Sequence, residues 1–431
     1  MSLLRIENVR VWTGVERGLL EHGALEARNG VISFVGPGMA LSPLAPGTER
    51  LDGEGMLLMP GFVNAHTHLA MTLLRGYADD MPLKPWLEEK IWPIEGRLQP
   101  EDVYWGSALG VVEMIRAGIT CFNDMYHYPE QGAQAALDLG MRALPSGVLL
   151  GFIGDTKGSL QRAIEFTLEW QTRGQGLVTP MLGPHAPYTC PDDLLASVTA
   201  AAHAHGLSIH VHLSETAHEV QESLVAHGVT PVRHLADLGV LDGHVTAAHC
   251  VHLSEADITL LAEKRVGIAH CPGSNMKLAS GFAPVPELLA AGALVGLGTD
   301  GAASNNNLDL LEETRLAALI HKGYTGDPTV VNAGQALRLA TAGGARALGL
   351  ADRIGTLEVG KRADCLLLDL TGPHTQPLFD AESQVVYAAH SSDVDTVIID
   401  GRVKLRHREF VDIDETEIIA RATACARRLM G

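Results

Sequence analysis

The sequence lacks any run of about 18 uninterrupted apolar residues, the length that crosses a bilayer, so no membrane span is expected. Its first ten residues already carry Arg5, Glu7 and Arg10 and hold no leader-like apolar stretch, so no secretory signal is expected there. Cysteine is sparse: Cys121, Cys190, Cys250, Cys271, Cys365 and Cys425 are scattered, and none forms a C-x-x-C pair. A chain of 431 residues needs no covalent staples, and the six read as free thiols of a reducing cytoplasm. Basic residues are outnumbered, 32 Lys and Arg against 51 Asp and Glu, for a formal net charge of −19. So acidic a surface repels phosphate backbones, which argues against polymeric nucleic acid but not against a neutral nucleoside. Lysine is missing altogether between Lys157 and Lys264.

What is present is a large apolar content, 46% of the residues, and 20 histidines. Short β-type runs broken by Gly and Asn occupy residues 3–12, 25–36 and 48–58, and runs of the same texture occupy 364–370, 384–389 and 395–404. Together they suggest a small antiparallel sheet, a β-sandwich domain, assembled from both chain ends. Between them, eight apolar runs alternate with helical patterns: Leu58–Ala65, Ile119–Asp124, Arg142–Leu149, Val178–Gly183, Ser208–His212, Val245–His249, Val266–His270 and Leu294–Thr299. Eight strand–helix alternations imply parallel strands, and their natural closure is a (β/α)8 TIM barrel. The expected organisation is residues 1–58 with 358–405 as the composite sheet domain, 59–357 as the barrel, and 406–431 as a C-terminal helix.

The histidines fall on this layout in a pattern. The first barrel strand ends in Asn64-Ala65-His66-Thr67-His68, and side chains two apart on a strand share a face. His212, His249 and Asp300 close the fifth, sixth and eighth strands. In a parallel barrel all these positions meet at the C-terminal mouth, where imidazoles and a carboxylate suit one divalent ion with a place left for water. The lysine gap removes the carboxylated lysine that bridges two-metal sites from strands four to six, so one ion is expected. Zinc suits these N and O donors, and Fe2+ or Mn2+ fits the same set. His203, His205 and His218 read as solvated helix residues. His210 is read as structural and facing away from His212.

With these residues in place the chain resembles the amidohydrolase superfamily. More narrowly, it resembles the branch of 5'-methylthioadenosine/S-adenosylhomocysteine deaminases and chlorohydrolase-like enzymes. The landmarks are PGFVNAHTHLAMTLLRG (60–76), GPHAPYTC (183–190), HVHLSET (210–216), AHCVHL (248–253), HCPGSNMKL (270–278) and GLGTDGAASNNNLDLLEE (296–313). The resemblance implies zinc held by His66, His68, His212 and Asp300, lowering the pKa of a bound water toward ~7. It further implies that Asp300 takes the proton of that water, that His249 orients the nucleophile, and that Glu215 protonates a ring nitrogen. His185 would hydrogen-bond the base or its 3' side. In KPWLEEKIWPIEGRL (84–98), read as a lid-like insertion, Glu95 would accept both ribose hydroxyls and Trp86 would wall the 5' side. His270, Asn275 and residues 304–307 are read as pocket floor or as supports of the metal ligands.

The implied activity is hydrolytic deamination of an adenine nucleoside, 5'-methylthioadenosine or adenosine, to the inosine analogue and ammonia by a homodimer or homotetramer. S-adenosylhomocysteine is disfavoured. Relatives that accept it place arginines after the third strand, where this chain has LPSGVLLGFIGDTKGSLQRA with Ser146 and Ser159, and only Arg162 nearby. The rival readings are a guanine or pterin deaminase, a triazine chlorohydrolase, or a non-catalytic scaffold, the last weakened by a complete set of ligands.

Overall fold

A computed structural model describes residues 2–15, 18–44, 46–152 and 154–431. Eight strands run side by side, all parallel: β1 (Phe62–Thr67), β2 (Ile119–Tyr126), β3 (Arg142–Leu149), β4 (Met181–Pro184), β5 (Ile209–Leu213), β6 (Val245–His249), β7 (Gly267–His270) and β8 (Leu294–Leu297). Nearly every strand residue is buried. That burial explains why the runs read as continuous apolar stretches and not as alternating ones. The ring closes just past the end of β8, where the Asp300 N–H donates to the His66 carbonyl at 3.0 Å. The fully buried Asn64 locks this seam. Its Nδ2 donates to Thr299 Oγ1 at 2.8 Å, and its Oδ1 accepts from the Thr299 N–H at 3.1 Å.

Helices cover the barrel: α1 (Pro100–Arg116), α2 (Pro129–Leu139), α3 (Thr156–Arg173), α4 (Asp192–His205), α5 (Ala217–His227), α6 (Glu255–Glu263), the short α7 (Pro272–Lys277), α8 (Val285–Ala290) and α9 (Leu310–Thr325). Their starts are chemically marked. Ser254 and Asp257 form a reciprocal capping pair at α6, and Thr216 and Asp309 cap α5 and α9 with side-chain oxygens. The C-terminal helix α10 (Glu415–Met430) buries Ile418, Ala422, Cys425 and Leu429, and the Arg116 guanidinium of α1 clasps Glu415 at its start.

Both chain ends form one nine-stranded sheet. The expected antiparallel unit is in fact mixed, because Leu3–Val11 pairs in parallel with Glu49–Asp52 and Leu57–Pro60. Period-two alternation divides its two faces. Leu57, Met59, Leu366, Leu368, Val397 and Ile399 join the barrel's core, while Leu58, Cys365, Leu367 and Ile398 pack in a separate cluster. The run expected as a single barrel strand over Leu58–Ala65 is therefore two strands in two sheets. Gly61 makes the crossing, with its N–H bonded to the Asp364 carbonyl at 3.0 Å. A Cβ there would lie 2.2 Å from the Thr120 side chain, so only glycine fits the passage. A buried ion pair ties the two sheets: Arg142 at the start of β3 contacts Asp364 at 2.6 and 3.0 Å and Asp400 at 3.1 Å.

Candidate metal centre and substrate pocket

Four donor atoms converge above the barrel. His66 Nε2 and His68 Nε2 each lie 3.3 Å from Asp300 Oδ1, and His212 Nε2 lies 3.2 Å from His68 Nε2. Around a tetrahedral ion with bonds of ~2.0–2.1 Å, ligand atoms sit about 3.3 Å apart. His66, His68 and Asp300 match that spacing, with donor atoms within 4.8 Å of one another, and His212 groups likewise with His66 and His249, so the cluster fits a divalent cation. So does the state of the donors, because His66 Nε2 is buried without a hydrogen-bond partner.

The opposite ring nitrogens are all engaged, which fixes each lone pair toward the centre. His68 Nδ1 donates to the Met125 carbonyl at 2.7 Å, and His212 Nδ1 to the His185 carbonyl at 2.8 Å. His66 Nδ1 donates to His210 Nε2 at 2.8 Å; His210 Nδ1 faces Ser146 Oγ at 3.3 Å, and that hydroxyl donates to the Asp124 carbonyl at 2.7 Å. The expectation that His210 faces away from His212 is thus overturned. Residues two apart share a strand face, so both rings enter the barrel, nearly parallel at 19°.

Electrostatics suit ligation. Burial lowers the His66 pKa to about 4 and holds that of His212 well below its ordinary value, so both are neutral. Burial opposes an ionised Asp300, yet the adjacent imidazoles of His66, His68 and His249 outweigh it and hold its pKa well below the carboxylate range. Ser274 Oγ and Ser304 Oγ both donate to Asp300 Oδ2, at 2.6 and 2.8 Å. Left-handed backbone occurs at the site: φ is +71° at His249, +59° at Asp300 and +51° at Ser214. Non-glycine residues rarely take such angles, and these three sit where strands must aim side chains into the mouth.

His249 stands beside the donors. Its Nδ1 donates to Asn275 Oδ1 at 2.9 Å, and its Nε2 lies 3.7 Å from Glu215 Oε2. Burial disfavours the His249 cation, but Glu215 and Asp300 together raise its pKa above the ordinary value. Glu215 is buried, with its pKa raised chiefly by desolvation, and Ser280 Oγ donates to its Oε1 at 3.2 Å. The loop that carries it is fixed by Glu219, whose two oxygens accept the N–H groups of Ser214 and Glu215 at 2.9 and 2.7 Å.

His68, His212, Glu215, His249 and Asp300 line one pocket with Trp86, Glu95 and His185. Trp86 is buried and donates from Nε1 to the Ala78 carbonyl at 3.0 Å. It opens a π-helical turn, residues 86–91, that rotates the segment bearing Glu95 toward the mouth. Glu95 Oε2 lies 3.5 Å from His127 Nε2. His185 is neutral, its pKa lowered to about 3 by burial and then by His68, and its Nδ1 meets Thr189 Oγ1 at 2.9 Å.

The sequence gives no role to Tyr126 and His127, although the end of β2 and the residue after it bring both to the pocket, with Asp124 just behind them. Asp124 Oδ1 accepts the Leu69 N–H at 2.7 Å, just after His68. His270 turns away from the pocket and lies against His321, 3.3 Å between their Nε2 atoms. Ser146 is buried inside the barrel, and Arg162 is exposed and bonded to Ser159 on α3, so none of the three lines the pocket. Outward the pocket joins a chamber of about 940 Å³ lined by Leu83, Lys84, Trp92, Phe152, Tyr188 and Glu222 among others. It contains no arginine among the described residues, and Lys84 lies 3.8 Å from Glu222.

Residues 57–404 match the amidohydrolase family. The 5-methylthioadenosine/S-adenosylhomocysteine deaminase of Pelotomaculum thermopropionicum is 52% identical over 415 residues, 96% of this chain and 95% of that protein. An adenosine deaminase from Xanthomonas campestris, solved with bound zinc, superposes with a TM-score of 0.95 at 41% identity, covering 99% of this chain and 98% of that one. An atrazine chlorohydrolase from Arthrobacter aurescens, complexed with zinc, superposes with a TM-score of 0.89 at 27% identity, covering 98% and 100%.

Proposed function

The chain belongs to the amidohydrolase family, and on that footing we propose that it is a hydrolytic deaminase of adenine nucleosides, favouring 5'-methylthioadenosine or adenosine over S-adenosylhomocysteine. The observation that carries this reading is that Glu215, whose proton is favoured by burial, shares one pocket with His68, His212, His249 and Asp300. His66, His68, His212 and Asp300 would hold the ion, taken as zinc. A divalent ion bound there lowers the pKa of water toward ~7.

The chain's own groups divide the remaining work. Asp300 receives the proton that water gives up. His249, beside Glu215 and Asp300, orients the oxygen that adds to C6 and stabilises its charge. Glu215 delivers a proton to N1 of the purine, which makes C6 electrophilic. The amino group then leaves as ammonia, carrying the proton that Asp300 held, while the proton of the new hydroxyl passes to Glu215, which leaves a carbonyl at C6 and restores the acid. Glu95 accepts the ribose hydroxyls, Trp86 walls the 5' side and His185 contacts the base. The outer chamber receives the 5' substituent. Its lack of arginine leaves an amino-acid carboxylate without a fork to pair with, which supports the preference for smaller, uncharged substituents.

The same reading takes the reducing cytoplasm as the compartment, consistent with six free, buried cysteines. No helix among the described residues is long and apolar enough to cross a membrane. It takes a homodimer or homotetramer as the assembly, which would cover exposed side chains such as Phe379 and Tyr324. The test is ammonia release from adenosine, 5'-methylthioadenosine, S-adenosylhomocysteine, guanine and a chlorotriazine, each with and without chelator. Chelator-sensitive release from the first two is expected. Turnover confined to guanine, or to chloride loss from the triazine, would overturn the reading.

A further inference from the structure

Glu313, in the first turn of α9, is fully buried and belongs to no ion pair among the described residues. Burial opposes its ionisation, and the bonds from Gly273 and Asn305 favour it. A carboxyl group kept at such a cost calls for a compensating role. Its two oxygens hold two separate segments. Oε2 accepts the Gly273 N–H at 2.9 Å, and Oε1 accepts from Asn305 Nδ2 at 2.9 Å. Gly273 is the second residue of α7, and the next two residues are Ser274, which donates to Asp300 Oδ2 at 2.6 Å, and Asn275, which accepts from His249 Nδ1 at 2.9 Å. Asn305 Nδ2 also donates to the carbonyl of Thr299, the residue before Asp300, at 2.8 Å. The approach is close enough that a Cβ on Gly273 would lie 2.3 Å from Glu313 Oε1 and 2.7 Å from Asn305 Oδ1.

We propose that Glu313 is a positioning residue: by clasping Gly273 and Asn305 it sets the reach of Ser274 onto Asp300 and of Asn275 onto His249. One carboxylate thereby fixes the loops after β7 and β8 relative to each other. Groups behind metal ligands alter affinity by about 10–100-fold when removed, and a displacement near 1 Å at a reacting group costs about 100-fold in rate. Glutamine in place of Glu313 keeps the volume but turns an NH2 toward one of the two donors, so one clasp is lost.

The inference rests on the roles given above to Asp300 and His249, but one of its readouts does not. Full-length, zinc-loaded protein carrying E313Q, S274A/N275A or all three changes is compared for zinc release to a chelator and for adenosine deamination. Zinc release from E313Q is expected to accelerate about 10–100-fold, and kcat to fall by a similar factor with KM within about threefold. In the S274A/N275A background the same change should alter either quantity by less than about threefold, because its route of action is already cut. N305A, at a partly exposed position, removes one clasp from the other side and carries the same expectation should E313Q fail to fold. Wild-type release rates in the clasp variants, or a full effect in the S274A/N275A background, would overturn the proposal. Faster release in E313Q from a wild-type protein that deaminates nothing would support the clasp and count against the functional reading instead.

Discussion

Glu215 Oε2 lies 3.7 Å from His249 Nε2, too far for a hydrogen bond and close enough that both face the same small volume of the pocket. One carboxyl able to give a proton and one imidazole able to carry charge thus meet beside the metal donors. Glutamine at 215 keeps the shape but has no proton to transfer. E215Q is expected to lower kcat by about 10²–10⁴-fold while leaving metal content at the wild-type value. Steady-state kinetics with metal analysis on the same preparation decide it. A variant with normal turnover would remove Glu215 from the chemistry.

His210 never reaches the donor cluster, yet it fixes which nitrogen of His66 carries the hydrogen. H210A should therefore weaken metal binding by about 10–100-fold, whereas H203A, on the exposed end of α4, should leave it unchanged. Competition with a chromophoric chelator measures both. Equal affinity in H210A and the wild type would show that the His66 tautomer needs no partner.

For Glu95 the expected signature is in binding and not in chemistry. Removing a carboxylate that accepts two ribose hydroxyls should raise KM for adenosine at least about tenfold in E95A, with kcat reduced less. Adenine lacks those hydroxyls, so its binding should barely change. A loss shared equally by nucleoside and free base would instead make Glu95 a prop for His127 and Tyr126, which it faces.

The barrel and its mouth were legible in the sequence because parallel strands buried on both faces leave continuous apolar runs, each ending at the catalytic rim. His66, His68, His212, His249 and Asp300 could be placed from that alone. Gly61 could not be recognised as a crossing point, since Leu58–Met59 and Phe62–Val63 are equally apolar on either side of it and only the partner strands differ. His210 was misplaced although the two-residue period that groups His66 with His68 groups it with His212. Asn275 is legible as a residue near the pocket floor, but Ser274 and Glu313 lie beyond reach for another reason. Their importance lies in contacts across 26 to 40 positions of chain, which no local pattern records.

The Arg142–Asp364 pair makes a prediction about stability. Both side chains are almost fully buried, and the pair bridges the barrel to the terminal sheet. Truncating one partner strands the other charge in a dry interior, which typically costs 3–5 kcal/mol (about). D364A should lose about that much in urea unfolding, with the residual ion pair to Asp400 recovering little because Asp400 is partly exposed. A double replacement by apolar residues of similar volume should cost less than D364A alone. A loss under about 1 kcal/mol for D364A would mean that water or Asp400 satisfies the guanidinium.

Glu219 ties pH to folding. Burial raises its pKa to about 7, even though bonds from the Ser214 and Glu215 N–H groups pull the other way. The ordinary glutamate value is 4.5, so between these pH values the folded chain binds a proton that the unfolded chain has released. Stability then falls as pH rises: the contribution is fully present below the unfolded pKa and is lost as pH passes through the folded one. The wild-type unfolding free energy should decline between about pH 5 and pH 7 more steeply than that of E219Q, by up to about one proton's worth of slope, and the two slopes should converge above about pH 8. Urea titrations of metal-loaded protein across that range give both curves. Parallel lines for the two proteins would mean that Glu219 is ionised throughout, and that the two backbone bonds suffice to hold the charge beside Glu215.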